Sequence, residues 1–179
     1  DVHIETSSAF DIPIVRTLFE RGKISKQTFI LCNGYKMPQY RDYITGLLND
    51  GFNCVPILDN LSEIDTYEKN VNVPYQVGIR VAADEEPKFE FYTSRLGIRY
   101  SDITTLYKEK IQPSSKATLK MLHFFINTGI KDTAYYWSEL SRFIFKYCEL
   151  KKVCDSLDSI DIGGGFPIKT SLTFHYDYK

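Results

Sequence analysis

Several things this chain lacks narrow what it can be. Histidine occurs only three times in 179 residues, at His3, His123 and His175, and the four cysteines, Cys32, Cys54, Cys148 and Cys154, form no C-x-x-C pair. Donors spread this widely do not make a structural zinc cluster. Without paired spacing the cysteines read as small buried hydrophobes of a reducing compartment. An excess of either charge is also missing, with 22 basic against 23 acidic side chains. No basic stripe is available to follow a phosphate backbone, so a nucleic-acid partner is not expected. No apolar run approaches the roughly 20 residues of a membrane-spanning helix, so no membrane partner is expected either. The opening Asp1-Val2-His3-Ile4-Glu5 has neither an initiator Met nor a signal peptide, which leads to the expectation of a piece of a longer, cytoplasmic protein.

What is present is a regular alternation. Strand-like runs fall at Val2–Thr6, Thr28–Asn33, Cys54–Leu58, Tyr75–Val81, Leu119–Asn127 and Leu157–Ile162. Helical stretches follow them. The first has Ser7 or Ser8 as a cap, Asp11 at capping-box distance from Ser8, and Ile12, Val15 and Phe19 on one face. The second starts near Pro38 and buries Tyr40, Ile44, Leu47 and Leu48; a short one begins at Leu61, and another runs from Ser101 to Ile111. The longest, from Asp132 to Val153, sets Trp137, Leu140, Ile144, Tyr147 and Cys148 on one side as core. The acidic and aromatic stretch Ala83 to Tyr92 reads as a long loop. Strands alternating with helices, without hairpin joints, require a parallel sheet. Six such units suit an open doubly wound sheet or part of a (β/α)8 barrel, with the ligand at the carboxyl ends of the strands in both.

The two sides of the strands decide between these. Ile4, Val77, Ile79, Val81, Ile160 and Ile162 lie on an aliphatic side; His3, Glu5, Asp59, Arg80, His123 and Asp161 lie on the other. An open sheet covered by helices on both faces needs both sides apolar. A barrel with a polar interior near its upper rim fits better, and Arg80 among the acids can compensate their charge. The last strand runs into Gly163-Gly164-Gly165. By itself that run reads equally as a turn or as an anion cradle, since glycine lets backbone N–H groups converge on one anion.

Six stretches, in order, carry a resemblance: IETSSAFDI, ILCNGYK, VPILDNLSE, VGIRVAADEE with SRLGI, MLHFFINTG and DIGGGFP. Together they resemble the alanine-racemase-like barrels of the pyridoxal-phosphate-dependent decarboxylases that act on ornithine, diaminopimelate and arginine, with the CNGYK phrasing most similar to the arginine decarboxylases. The resemblance implies an α/β fold, an incomplete (β/α)8 TIM-type barrel of about six βα units over residues 1–179. The first strand or strands and a C-terminal β-domain would lie outside it. It also implies pyridoxal 5′-phosphate as cofactor and an amino-acid substrate, arginine first, decarboxylated to agmatine and CO2 in polyamine biosynthesis by a homodimer or higher oligomer.

Residue by residue, the resemblance places the phosphate on Gly163, Gly164 and Gly165. It places the stacking position on Phe125, a hydroxyl near the phosphate on Thr128, the basic residue of a basic-aromatic-Gly element on Arg95, and an acidic residue near the cofactor ring on Glu5. Two departures stand out. Phe125 takes the place of a histidine, and a phenyl ring can stack but cannot carry charge. No lysine here matches the family's Schiff-base lysine, which is expected upstream of Asp1; Lys36, closing a loop, reads as solvated. The catalytic residue therefore stays unassigned, and a decarboxylase-like regulatory or binding protein without catalysis is the alternative.

Overall fold

The computed structural model describes residues 3–82, 96–125 and 133–164. Its strands are β1 (Ile4–Thr6), β2 (Ile30–Cys32), β3 (Cys54–Leu58), β4 (Tyr75–Ala82), β5 (Ile98–Arg99), β6 (Ala117–Phe124) and β7 (Ser159–Asp161). Its helices are α1 (Asp11–Glu20), α2 (Pro38–Asn49), α3 (Glu63–Asn70), α4 (Tyr100–Leu106), continued by a π-helical turn over Tyr107–Ile111, and α5 (Thr133–Lys151). Every strand pair is parallel, and the order across the sheet is β1-β2-β3-β4-β6-β7. A doubly wound sheet reverses its strand order at a switch point. This sheet never does; it follows the chain around, as a barrel wall does.

One hydrogen bond measures the curvature. The Asn33 amide, just past β2, lies 3.5 Å from Asp161 Oδ2 at the end of β7. In a flat sheet those strands, four places apart, would be separated by roughly 19 Å at about 4.8 Å per step. The sheet is therefore strongly curled, and its concave side is the interior of an incomplete (β/α)8 barrel.

The pattern of the sequence accounts for six of the strands. The seventh, β5, is two residues long, too short for a hydrophobic alternation to show. It pairs with the end of β4, Val81 against Ile98, while β6 occupies the other edge of β4 at Val81–Phe124. It thus continues the track of β3 beyond Leu58, and the Gly97 N–H donates to the Asp59 carbonyl at 2.9 Å.

The main core lies between the convex side of the sheet and the helices. Ile30, Cys32, Cys54, Leu58, Val77, Ile79, Val81, Leu119, Leu122 and Phe124 pack there against Ile12 and Val15 of α1, Tyr40, Ile44 and Leu47 of α2, and Ile64 and Tyr67 of α3. Pro38 opens α2, where a missing N–H costs nothing. The predicted box at α1 forms in half. Asp11 Oδ2 accepts from the Ser7 and Ser8 N–H groups, both at 2.8 Å, and from Ser8 Oγ at 3.0 Å, but no serine hydroxyl caps the helix.

The buried face of α5 differs from the expected one. Trp137 and Ile144 are 55% and 41% exposed, and Cys148 is exposed too. Leu140 and Tyr147 face the core as expected, but the rest of the buried face is Tyr136, Phe143 and Leu150, with Phe143 stacked on Phe124 at 5.3 Å. The anchor is Phe124, which leaves β6 pointing outward. A helix register is set by what its partner presents, and aromatic content alone does not fix it. Cys32, Cys54 and Cys154 are buried, as expected. Phe19 is exposed on one side but meets Phe52 edge-on at 5.0 Å.

A smaller apolar cluster, Leu31, Val55, Ile57 and Met121 with Phe29 against it, fills the concave side. Gly78 sits in this floor where a Cβ would run into Ile57 Cδ1 and stand 2.8 Å from Met121 Cγ, so a larger residue has to displace both side chains. Gly78→Val is expected to lower unfolding free energy by about 2–3 kcal/mol, the overpacking range. Denaturant unfolding of the variant, with an unchanged slope, checks it.

Candidate functional site

Above the apolar floor the concave side turns polar. The registers Arg80↔His123 and His123↔Asp161 set these three side by side in one row, and Asp59 follows the last residue of β3. The inward side of the strands is therefore apolar low and polar high, rather than polar along its length. All four lie at the carboxyl ends of the strands.

Lys36 is a correction. Its side chain is 1% exposed, not solvated. Its ammonium donates to the Gly34 carbonyl at 2.9 Å and to the Ile57 carbonyl, and lies 3.2 Å from Glu63 Oε1 and 3.4 Å from Asp59 Oδ2. The loop after β2 folds over the end of β3, where two buried carboxylates require a cation. Burial pushes the Glu63 carboxyl above its usual range, and the Lys36 charge opposes that shift. Glu63 also accepts from the Asp59 N–H at 3.0 Å. The other oxygen of Asp59 lies 3.5 Å from Arg80 Nη1, and the Arg80 guanidinium carbon sits 5.5 Å from the centroid of the Phe125 ring.

A second network runs along the rim. Asn33 Nδ2 donates to Glu5 Oε1 at 2.6 Å and reaches Asp161 at 3.5 Å. Asp161 Oδ1 accepts the Gly163 N–H at 2.8 Å, and His123 Nε2 lies 3.8 Å from Asp161 Oδ2. Gly163 has φ +65°, and a Cβ there would fall 2.5 Å from the Phe124 carbonyl and 3.3 Å from the Phe125 ring. Only glycine allows that turn to press against the end of β6. Beside it, a Cβ on Gly164 would meet nothing within 4 Å. One glycine packs and its neighbour opens outward.

Of the residues singled out from sequence, Glu5, Phe125, Gly163 and Gly164 meet along this rim. Thr128, Gly165 and Arg95 lie outside the described residues, as does the stretch from Ala83 to Tyr92. Asn33 and Glu63 were not singled out. Asn33 could have been found as the first inward residue past β2; Glu63 and the burial of Lys36 could have been found from the excess of acids at the strand ends.

Three buried polar atoms here have no hydrogen-bond partner among the described residues, Asn33 Oδ1, Asp59 Oδ1 and His123 Nδ1. Buried polar groups are nearly always paired, so this concentration of unpaired ones sets the rim apart from the rest of the core. Among the described residues no cluster of His, Cys, Asp or Glu could hold a metal ion, and no helix is long and apolar enough to cross a membrane.

A parallel barrel wall with an open glycine turn, an aromatic ring and a carboxylate network at its strand ends is suited to a phosphorylated ring compound. The chain belongs to the family described as the pyridoxal-binding domain of pyridoxal-dependent decarboxylases, whose model matches residues 6–175. Among curated relatives it is 28% identical over 152 residues to the biosynthetic arginine decarboxylase of Shewanella woodyi, covering 78% of this chain and 23% of that protein. The chain thus spans about a quarter of the length of the curated relatives it matches. Among solved structures it is similar in fold to diaminopimelate decarboxylase from Helicobacter pylori complexed with L-lysine, with TM-score 0.72, 15% identity, and coverage of 96% of this chain and 44% of that one. It is also similar to the biosynthetic arginine decarboxylase of Campylobacter jejuni, with TM-score 0.69, 20% identity, and coverage of 98% and 29%.

Burial holds the His123 imidazole below its usual range; Arg80 adds to that shift, while Asp161, Asp59 and Glu5 oppose it. A histidine that stays neutral when folded contributes stability above its unfolded pKa of about 6.5, and that contribution is lost as pH falls below it. His123→Gln should therefore lose less stability than the wild type between about pH 7.5 and 5. Parallel curves in denaturant midpoints at several pH values would contradict this.

Proposed function

We propose that this domain binds pyridoxal 5′-phosphate at the rim of β1, β6 and β7 and belongs to an enzyme that decarboxylates a basic amino acid, arginine first. The observation that carries the reading is the glycine turn after β7. Gly163 is locked against Phe125, while Gly164 faces open space, so its backbone can be approached closely. Glycine amides hold a phosphate without a charged side chain, in keeping with a net charge of −1.

When bound, the cofactor supplies an electron sink for the pair left behind as CO2 departs. The chain's own residues would hold it. The Gly163 and Gly164 region, with Gly165, takes the phosphate, and Phe125 offers a flat apolar face to the ring. Glu5, oriented by Asn33, presents a carboxylate. On the family pattern alone, Thr128 is assigned near the phosphate and Arg95 to the cofactor site as the basic residue of the basic-aromatic-Gly element. Lys36 is already committed to two carboxylates and two carbonyls. On the family pattern, the lysine that forms the covalent link is placed outside this sequence, with the remaining barrel strands and a second β-domain. The curated arginine decarboxylases among the relatives support L-arginine as substrate, agmatine and CO2 as products, and a role in polyamine synthesis. A cytoplasmic homodimer or higher homo-oligomer completes the reading. The replacement of the family's histidine by Phe125 favours one other reading, a cofactor-binding regulator without catalysis.

The protein that carries this domain should bind pyridoxal phosphate, show its visible absorbance, and release CO2 and agmatine from L-arginine. Absorbance without CO2 from arginine, ornithine, lysine or diaminopimelate would leave the regulator; neither signal would overturn both. Gly164→Val is expected to weaken cofactor affinity at least about tenfold, by blocking the approach of the phosphate to the backbone amides. Its melting temperature should stay unchanged, since a Cβ there meets no atom of the described residues within 4 Å.

A further inference from the structure

The first amide of the glycine run is already taken. The Gly163 N–H donates to Asp161 Oδ1 at 2.8 Å. An N–H carries one hydrogen, and its bonds weaken steeply away from the donor axis. A Gly163 N–H aimed at the carboxylate two residues back is therefore not aimed at an incoming anion. The Gly164 N–H donates to no group among the described residues, and a Cβ on Gly164 would meet nothing within 4 Å.

Asp161 is itself held from the opposite side. Its Oδ2 lies 3.5 Å from Asn33 Nδ2 and 3.8 Å from His123 Nε2, and its side chain is only 19% exposed. One oxygen thus faces groups of β2 and β6, and the other faces the turn. Gly163 is fixed on a second side as well, with φ at +65° and no room for a Cβ beside the Phe124 carbonyl. The charge of a carboxylate in this place repels an anion. What the carboxylate contributes is direction: with the Gly163 N–H turned to Asp161, the chain leaves the corner in one conformation, and the next amide is the first left for a ligand.

We infer, on the reading that this turn receives the cofactor's phosphate, that Asp161 is a positioning residue. It withdraws the Gly163 amide from phosphate recognition and fixes the corner from which the Gly164 amide is presented. The phosphate is read from Gly164 onward, and Gly163 is the hinge post of the cradle rather than one of its donors.

Titration of the cofactor-free protein that carries this domain with pyridoxal phosphate and with pyridoxal tests the role, since pyridoxal lacks the group that the turn would read. Asp161→Ala should weaken pyridoxal phosphate about five- to tenfold and pyridoxal less than about twofold. Equal losses for the two ligands, no loss, or tighter binding overturn the inference and leave the cofactor reading standing. Asp161→Asn keeps an acceptor oxygen and removes the charge, and should bind pyridoxal phosphate within about threefold of the wild type. An Asn variant as weak as the Ala variant overturns the inference. A wild type that binds pyridoxal phosphate no more tightly than pyridoxal overturns the phosphate reading, and the inference with it. A second measurement needs no substitution. Isotope labelling of Ile-Gly and Gly-Gly pairs singles out these amides by NMR, and Ile162-Gly163 is the one Ile-Gly pair in the 179 residues. In excess inorganic phosphate the Gly163 amide signal should keep its place while that of Gly164 moves. A Gly163 shift as large as that of Gly164 overturns the inference; a shift of neither overturns the phosphate reading.

Discussion

The upper half of this barrel wall depends on neutralising buried carboxylates. Asp59 and Glu63 sit where β3 gives way to α3, under the loop from β2, with almost no access to water. An isolated carboxylate in that position costs several kcal/mol, and losing one partner of a buried pair costs about 3–5 kcal/mol. Lys36 and Arg80 remove that cost, and in doing so they fix the loop after β2, the end of β3 and the middle of the concave face. Such pairs contribute less to stability than apolar packing would. What they supply here is location, because each cation has only a narrow range of positions from which it can serve the acids it faces.

The rim network works in the same way with weaker links. Glu5, Asn33, Asp161 and Gly163 are contributed by β1, β2 and β7. The turn after β7 is thereby tied to strands at the far end of the sheet, and the curl of the sheet is what allows the tie. A turn anchored at its start in this way has less backbone freedom left to lose than a free one. The low apolar floor lies beneath it, and Gly78 leaves room there for Ile57 and Met121.

The parallel order, the outward aliphatic sides of the central strands and the choice of a barrel over an open sheet were legible in the sequence. They follow from alternation over many residues, and the separation of Ile79 from Arg80 is visible without coordinates; Ile160 and Ile162, expected on the same covered side, are instead 44% and 39% exposed at and just past the edge strand β7. Glu5, Phe125 and the glycine run were legible from ordered motifs. Lys36 was not: a lysine beside glycine and tyrosine in a loop has the local look of a solvated one, and the acids that bury it lie more than 20 residues away. The face of α5 was legible only at Leu140 and Tyr147, for a similar reason. Trp137 and Ile144 have the right spacing, but Phe124 selects Tyr136 and Phe143. β5 was invisible because two residues carry no period. In each case the deciding partner is distant in sequence, which local pattern cannot register.

The strand order has a kinetic side. Because neighbours in the sheet are neighbours in the chain, each pairing closes a segment of only roughly 20 to 45 residues, and closure entropy grows slowly over that range. No strand has to wait for one from the opposite end of the chain before it can pair. The wall can grow by accretion, one βα unit docking on the last. The bond from Asn33 to Asp161 is then among the latest to form, a latch that closes only after every intervening strand is in place.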